Sequence, residues 1–253
     1  MELLDKIYQA RERIKNVARH TPLMENKNLS KEFSAQVYLK REDLQPVRSY
    51  KLRGAYNKIV LLSDEEKARG VACASAGNHA QGVAYACNKL NIKATIFMPV
   101  TTPPQKTKQV KLFGKDKVDI VLKGNSLDDA FSEANRFCEE DGAVFIHPFD
   151  DVKIIAGQGT IGLELLEDSF NPIDYLFVPI GGGGLASGII SVFKELSPHT
   201  KIIGVEPVGA ASMKTAIEKG EIVTIEDIDN FVDGAAVAGG RADHALLSQL
   251  CPE

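Results

Sequence analysis

The chain has 253 residues, of which 44% are hydrophobic and 25% are charged, a composition that excludes a disordered or fibrous protein. The formal net charge of −4 argues against nucleic acid or an anionic membrane as a partner, because both require a basic surface. The N-terminus lacks the apolar core of a signal peptide, and no apolar run reaches transmembrane length. We therefore expect a cytoplasmic protein.

The first 70 residues predict three helices and one short strand. Apolar residues recur at helical spacing over residues 2–17, which predicts a helix that ends before Thr21-Pro22. The segment 36–40 is short and β-prone, which predicts a strand, and residues 49–62 predict a second helix. Ser63-Asp64-Glu65-Glu66 has the sequence of a capping box, so a further short helix is expected to start there.

From Val71 onward, short apolar strands alternate with helices. The predicted strands are 71–74, 94–98, 119–122, 143–146, 175–180 and 201–205. The predicted helices are 78–90, 102–113, 126–140, 152–166, 185–196 and 210–219. This alternation predicts an α/β fold whose parallel sheet is covered by helices on both faces. The pattern breaks at residues 148–151, and we predict two lobes: a smaller one of residues 69–149, and a larger one of residues 1–68 and 150–253.

A run of four glycines, Gly181, Gly182, Gly183 and Gly184, lies between the predicted strand 175–180 and the helix that starts near Leu185. Without Cβ atoms, consecutive backbone N–H groups can converge on one anion, and the positive end of the helix dipole adds to the attraction. The run therefore predicts a phosphate-binding cup, with a flexible turn as the alternative. It matches neither the Walker A loop nor the dinucleotide-binding fingerprint.

Two further stretches complete a candidate site. Ser75-Ala76-Gly77-Asn78-His79-Ala80-Gln81-Gly82 follows the strand 71–74 and suits a carboxylate or a ring oxygen, although Ser75 could be an ordinary N-cap and His79 a packed helix residue. Lys51 opens a helix beside Tyr50, where partial loss of hydration would make its amine nucleophilic. An amine combined with a phosphate cup predicts pyridoxal 5′-phosphate bound as a Schiff base.

Four motifs together resemble the threonine dehydratase (threonine deaminase) family. They are Ser49-Tyr50-Lys51-Leu52-Arg53-Gly54-Ala55, the stretch Ser75 to Gly82, Ala156-Gly157-Gln158-Gly159-Thr160 and the four glycines. The resemblance extends from about residue 5 to Val237. It implies the two-lobed, three-layer parallel-sheet fold of the pyridoxal phosphate enzymes related to the tryptophan synthase β-subunit.

The resemblance also implies roles for individual residues. Lys51 would bind the cofactor, with Tyr50 beside it, and would move the α-proton of the substrate. Asn78 would contact the phenolic oxygen of the cofactor, and the glycines Gly181 to Gly184 would bind its phosphate. The residues expected around the substrate carboxylate are Ser75, Asn78, His79 and Gln158.

The reaction implied is the dehydration and deamination of L-threonine, and possibly of L-serine, to 2-oxobutanoate or pyruvate and ammonia. The family resemblance places this reaction in isoleucine biosynthesis or threonine catabolism, in a homo-oligomer such as a dimer or tetramer. Serine racemases of this group have a second serine where this chain has Ala76, which favours the dehydratase over racemisation. Relatives also bind a divalent cation with residues at the positions of Glu206, Ala210 and Ser212, but Ser212 replaces an aspartate, so we predict no metal.

The family resemblance ends near Val237, and the tail from about Ala238 does not resemble the family. We therefore expect a C-terminally truncated member whose larger lobe is incomplete. A truncated pseudo-enzyme with little or no activity is the alternative from a different functional class.

Overall fold

The computed structural model describes residues 2–225, 228–229, 231–232, 234–235 and 237, so the predictions for the tail from Ala238 lie outside the described residues. The helices in the described part are α1 (Leu3–Ile14), α2 (Lys27–Phe33), α3 (Lys51–Val60), α4 (Asp64–Arg69), α5 (Asn78–Leu90), α6 (Pro104–Gly114), α7 (Leu127–Asp141), α8 (Val152–Asp168), α9 (Gly184–Leu196) and α10 (Ser212–Lys219). The strands are β1 (Leu23–Glu25), β2 (Tyr38–Lys40), β3 (Val71–Ala74), β4 (Ala94–Met98), β5 (Val118–Leu122), β6 (Val144–Phe145), β7 (Tyr175–Pro179) and β8 (Lys201–Val205). None of these helices combines the length and apolar composition needed to cross a membrane.

The strands form three sheets. A four-stranded sheet has the order β5-β4-β3-β6 with all neighbours parallel, and β7 pairs with β8 in a second parallel sheet. Strands β1 and β2 form a small antiparallel pair. Every residue of the central strand β3 is buried, as expected for a parallel sheet covered by helices. The predicted α/β class with parallel sheets is confirmed.

Most predicted elements are present, and the differences lie mainly near the N-terminus. Strands β3, β4 and β8 and helix α5 begin and end at the predicted residues, and the capping box at Ser63 is formed. Strand β1 and helix α2 were not predicted, because both are short; the Asn26 side chain starts α2 by accepting a hydrogen bond from the Leu29 N–H. Helix α10 starts at Ser212 instead of residue 210, since residues 208–210 form a 3-10 turn.

Helix α8 lies between the helix that begins with Lys51 and the helix that follows the four glycines. A Cβ atom on Gly157 would lie 2.6 Å from the Gly54 Cα of α3, and a Cβ on Gly188 of α9 would lie 2.6 Å from the Gly159 backbone nitrogen. The two glycines of the Ala156 to Thr160 motif thus allow α3 and α9 to pack closely on α8. This packing sets the position of Lys51 relative to the four glycines.

A buried ionic network attaches the N-terminal segment to α3 and α8. The guanidinium of Arg53, which is 1% exposed, pairs with Glu42 at 2.7 Å and with Glu164 at 2.6 Å. Lys40 pairs with Glu164 at 2.8 Å and with Asp168 at 2.9 Å. Because each buried charge has an opposite partner, the network holds the start of α3 in place without leaving an uncompensated charge there.

Candidate active site

Most of the sequence-predicted site residues lie at the carboxyl ends of strands or at the starts of helices, and Gln158 lies within α8. Lys51 is the first residue of α3, Ser75 follows β3, Asn78 begins α5, and the four glycines join β7 to α9. The carboxyl ends of parallel strands are where ligands of open α/β sheets bind. Contacts of residues 146–149 connect Lys51, the Ser75 to Gly82 stretch and the four glycines.

Lys51 is half-buried, and its amine has one hydrogen-bond acceptor within the described residues. The Nζ donates to the carbonyl oxygen of Pro148 at 2.8 Å and lies 5.5 Å from the centre of the Tyr50 ring. Helix α5 approaches Lys51 closely, because a Cβ on Gly82 would lie 3.1 Å from the Lys51 carbonyl carbon. Burial lowers the pKa of the Lys51 amine to about 8, so an appreciable fraction is uncharged near neutral pH. The amine is therefore suited to attack an aldehyde and to carry a proton.

Residues 146–149, which we call the connecting segment, link the separate parts of the site. The Ile146 carbonyl accepts a hydrogen bond from His79 Nε2 at 2.8 Å. Two residues later, the Pro148 carbonyl accepts the hydrogen bond from Lys51. Phe149 then packs against Gly182 and Gly184. In the sequence this region is visible only as a break in the strand–helix alternation, because backbone carbonyls carry no residue-type signal.

The four glycines form a tightly packed strand-to-helix connection. Gly183 has a φ of +88°, a conformation that favours glycine, and Gly184 begins α9. A Cβ on Gly182 would lie 2.3 Å from the Phe149 ring, and one on Gly184 would lie 2.8 Å from the Phe149 carbonyl oxygen. The first backbone N–H groups of α9 have no acceptor within the helix, an arrangement that suits an anion.

The Ser75 to Gly82 stretch presents a second helix start. The N-cap position of α5 is Gly77 and has no side-chain cap, so Ser75 is not the N-cap; its Oγ instead accepts a hydrogen bond from the Gly77 N–H at 3.2 Å. The N–H groups in the first turn of α5 belong to Asn78, His79 and Ala80. They are available to a carboxylate because helix starts leave such groups unpaired.

The side chains of His79 and Gln158 are buried and form hydrogen bonds with backbone groups. The His79 ring is 4% exposed, and burial, together with the nearby Lys51 charge, lowers its pKa to about 3. The ring is therefore neutral, and only the backbone N–H of His79 is positioned at the helix start. Gln158 is 2% exposed, and its Oε1 accepts a hydrogen bond from the Gly54 N–H at 3.2 Å, which leaves its amide N–H groups as donors.

A later segment of the chain also reaches the site. A Cβ on Gly234 would lie 3.8 Å from the Asn78 Nδ2, and a Cβ on Gly181 would lie 3.3 Å from the Ala235 Cα. From the sequence, this region is recognisable only as the end of the family resemblance. In the structure, Gly234 thus lies near Asn78, and Ala235 lies against Gly181.

Glu206 lies at the start of α10. Its two carboxylate oxygens accept hydrogen bonds from the backbone N–H groups of Met213 and Lys214 at 2.9 and 2.8 Å. Ser212 is fully buried, and its Oγ has no hydrogen-bond partner among the described residues. Within the same residues, no group of three His, Cys, Asp or Glu side chains could hold a metal ion. The contacts of Glu206 are those of a helix cap.

If Glu206 acts as a cap, the Glu206→Ala variant should lose about 1 kcal/mol of unfolding free energy, because two helix N–H groups lose their acceptor. Glu206→Gln, which keeps one acceptor oxygen, should lose less. Urea unfolding of the three proteins, with Mg²⁺ and with EDTA, measures these differences. A stabilisation by Mg²⁺ that is present in the parent and absent in Glu206→Ala would contradict the capping role.

The residues present fit a pyridine aldehyde phosphate. The N–H groups at the four glycines suit its phosphate, the Lys51 amine suits its aldehyde, and Asn78 supplies a donor for the phenolic oxygen. Tyr50, whose hydroxyl pKa is raised to about 12 by burial, stays protonated beside the amine. No acidic side chain of the described residues pairs with Lys51.

Comparison with known sequences identifies a family and close relatives. The family model described as "Pyridoxal-phosphate dependent enzyme" matches residues 14–251. The chain is 53% identical over 234 residues to the biosynthetic L-threonine dehydratase IlvA of Halalkalibacterium halodurans, covering 92% of this chain and 56% of the relative. It is 53% identical over 231 residues to that of Bacillus subtilis, covering 91% and 55% respectively. The chain therefore spans about half the length of the curated relatives it matches.

Two solved structures show the same fold. The processed form of threonine deaminase isoform 2 from Solanum lycopersicum superposes with a TM-score of 0.91 at 44% identity, over 97% of this chain and 67% of that one. Maize serine racemase superposes with a TM-score of 0.92 at 34% identity, over 98% of this chain and 74% of that one. The two similar structures thus carry the names of two different activities.

Proposed function

Because the chain belongs to the pyridoxal-phosphate-dependent enzyme family, as the resemblance in its motifs predicted, we propose that it catalyses the dehydration and deamination of L-threonine to 2-oxobutanoate and ammonia. The observation that carries this proposal is the half-buried Lys51 amine, held on the Pro148 carbonyl, whose neighbour Phe149 packs against Gly182 and Gly184 of the glycine run. The similarity to threonine dehydratases supports the choice of substrate.

The cofactor is held by groups with separate tasks. The N–H groups of Gly181, Gly182, Gly183 and Gly184 would hold its phosphate, Lys51 would bind its aldehyde, and Asn78 and Tyr50 would lie beside its ring. When bound, the cofactor supplies an electron-withdrawing ring that stabilises negative charge at the substrate α-carbon. The protein supplies orientation and proton transfer.

The substrate is oriented by the start of α5. The backbone N–H groups of Asn78 and His79 and the hydroxyl of Ser75 bind its carboxylate, and Gln158 donates from its amide nitrogen. Lys51 Nζ takes the α-proton, which its pKa of about 8 permits near neutral pH. The β-hydroxyl then leaves as water. Hydrolysis of the resulting enamine yields 2-oxobutanoate and ammonia.

Serine racemisation is the second candidate activity, because the maize serine racemase structure is similar to this chain. That reaction needs a proton donor on the opposite face of the cofactor. Ala76, which is half-buried and packs against the core of the four-stranded sheet, has no group that could donate a proton. The alanine therefore favours elimination over racemisation.

The broader setting is proposed on the same basis. We infer a cytoplasmic homo-oligomer, a dimer or tetramer, that takes an amino acid substrate in isoleucine biosynthesis or threonine catabolism. We also propose that residues 69–149 form the smaller lobe, and residues 1–68 with 150–253 the larger one. The apolar cluster around β7 belongs to the larger lobe, while the cluster around β3 also includes Ala55 and Ile59 of α3 and Ile154 of α8, so the two proposed lobes pack on each other there.

Product analysis tests the proposed activity. The purified chain supplied with pyridoxal phosphate and L-threonine should release 2-oxobutanoate and ammonia in equal amounts, and L-serine should give pyruvate more slowly. D-Threonine serves as the control, and chiral chromatography of residual serine tests racemisation. Cofactor binding without any keto acid would contradict the proposed activity and favour the inactive alternative, while D-serine as the main product would favour racemisation.

A further inference from the structure

His79 is a buried histidine whose ring has a specific partner. Its Nε2 lies 2.8 Å from the Ile146 carbonyl oxygen, and the ring is 4% exposed. A carbonyl oxygen can only accept, so Nε2 carries the proton and Nδ1 does not. The ring is thus a fixed donor aimed at the connecting segment and away from the start of α5, where the substrate carboxylate is proposed to bind.

The connecting segment is held at each of its residues. The Ile146 N–H donates to the Ala72 carbonyl at 2.8 Å, which continues the pairing of β6 with β3, while the Ile146 carbonyl accepts from His79. The His147 Nδ1 accepts the Asp150 N–H at 2.7 Å. Two residues beyond Ile146, the Pro148 carbonyl accepts the Lys51 amine at 2.8 Å. The direction of that carbonyl therefore depends on how Ile146 is held.

We propose that His79 is a positioning residue for Lys51: by holding the Ile146 carbonyl, its ring fixes the connecting segment so that the Pro148 carbonyl receives and directs the lysine amine. This inference builds on the proposed function, in which Lys51 binds the cofactor and moves the α-proton. It assigns to the His79 side chain a task separate from the carboxylate binding expected from the sequence.

The charge state of His79 suits this role. Burial and the nearby Lys51 charge keep the ring neutral, since its pKa is lowered to about 3, so the donor is unchanged throughout the neutral pH range. The other titratable groups near the pair are Tyr50, whose ring centre is 5.5 Å from Lys51 Nζ, and His147, whose charge would lower the His79 pKa. A permanent neutral donor can set geometry without altering the charge of the site.

Two variants separate positioning from general support of the fold. His79→Leu keeps apolar volume and removes the donor, which leaves the Ile146 carbonyl without a partner. His79→Gln places an amide N–H near the position of Nε2 and should rescue the bond. Both are prepared as the 253-residue chain with lysine labelled with ¹³C at Cε, and Lys51→Met identifies the Lys51 resonance. The labelled chain is titrated without cofactor.

The direction in which the Lys51 pKa changes distinguishes positioning from general support of the fold. If His79 positions the Pro148 carbonyl, then in His79→Leu the ammonium loses its acceptor while the site stays dry. Its pKa should then fall by about half a unit or more below that of the parent. His79→Gln should titrate like the parent. A merely loosened site would admit water and raise the Lys51 pKa toward 10.5, its ordinary value.

A rise in His79→Leu, or a parent-like titration in that variant, would overturn the proposal. So would a His79→Gln protein that titrates like His79→Leu. These readings need no cofactor, so they remain valid if the chain proves unable to bind pyridoxal phosphate. Failure of the proposed function is detected separately, in the parent chain, by the absence of keto acid.

Discussion

Replacing Lys51 with methionine is expected to abolish activity and to make the protein more stable at neutral pH. The activity loss should reach about 10³-fold or more, because the same amine both binds the cofactor and transfers the proton. Methionine has a similar length and no charge, so the α3 packing around residue 51 should be kept. Keto acid formation and the visible absorption of bound cofactor measure the first effect.

The stability gain follows from the pKa of the amine. It is 10.5 for an ordinary lysine and about 8 for Lys51 in the folded protein, so between these values the unfolded chain binds more protons. The parent should therefore gain stability as the pH rises from 8 to 10.5. Below pH 8 the full cost of burying the charge is present, and Lys51→Met should be more stable than the parent by roughly 1–3 kcal/mol.

Urea unfolding of both proteins at pH 7, 9 and 10.5 measures the difference. The advantage of Lys51→Met should shrink as the pH rises and disappear near 10.5, the ordinary lysine value. Lys58→Met is a suitable control, because Lys58 lies on the same helix and pairs with Asp151 at 2.6 Å. It should show no such gain. An unchanged difference between parent and Lys51→Met across this range would contradict the lowered pKa.

Replacing Gly157 with alanine is expected to cost about 3 kcal/mol or more of unfolding free energy. The new Cβ would lie 2.6 Å from the Gly54 Cα and 2.7 Å from the Arg53 carbonyl oxygen, so backbone of α3 would have to move away from α8. This loss outweighs the gain of about 1 kcal/mol that alanine gives a helix. Because Lys51 is the first residue of α3, cofactor affinity should fall as well.

Gly162→Ala is the matched control on the same helix. There the three atoms nearest to the new Cβ all belong to the Val192 side chain, at 3.0 to 3.3 Å, and no backbone atom is among them. The better helix propensity of alanine should offset the crowding, so this variant should stay within about 1 kcal/mol of the parent. Thermal or urea unfolding of the parent, Gly157→Ala and Gly162→Ala measures the differences in stability. Equal stability of the two variants would show that α3 and α8 do not require the close approach.

The alternation of apolar strands with helices was enough to predict the central architecture. Strand β3 and helix α5 start and end where the sequence indicated, because a short buried strand followed by glycine and then an amphipathic helix permits few other structures. The glycines Gly181 to Gly184 were predicted as an anion cup. The structure gives a second reason why glycine is required at two of these positions, since Gly182 and Gly184 lie against Phe149.

The parts that could not be predicted depend on backbone groups and on packing across the chain. The Pro148 carbonyl that accepts the Lys51 amine leaves no mark in the sequence, since every residue has a carbonyl. His79 has the same sequence signal whether its ring binds substrate or the Ile146 carbonyl. The close approach of Gly157 to Gly54 joins residues about a hundred positions apart, and periodicity within one helix does not show it.

Covalent capture of the cofactor tests the central claim most directly. The purified chain is incubated with pyridoxal phosphate, reduced with borohydride, digested and analysed by peptide mass spectrometry, with Lys51→Met treated in parallel. We expect one predominant phosphopyridoxyl modification, on the peptide that contains Lys51, and its loss in the variant. A folded parent chain that carries no modification, or carries it on another lysine in preference to Lys51, would contradict the assignment of this site.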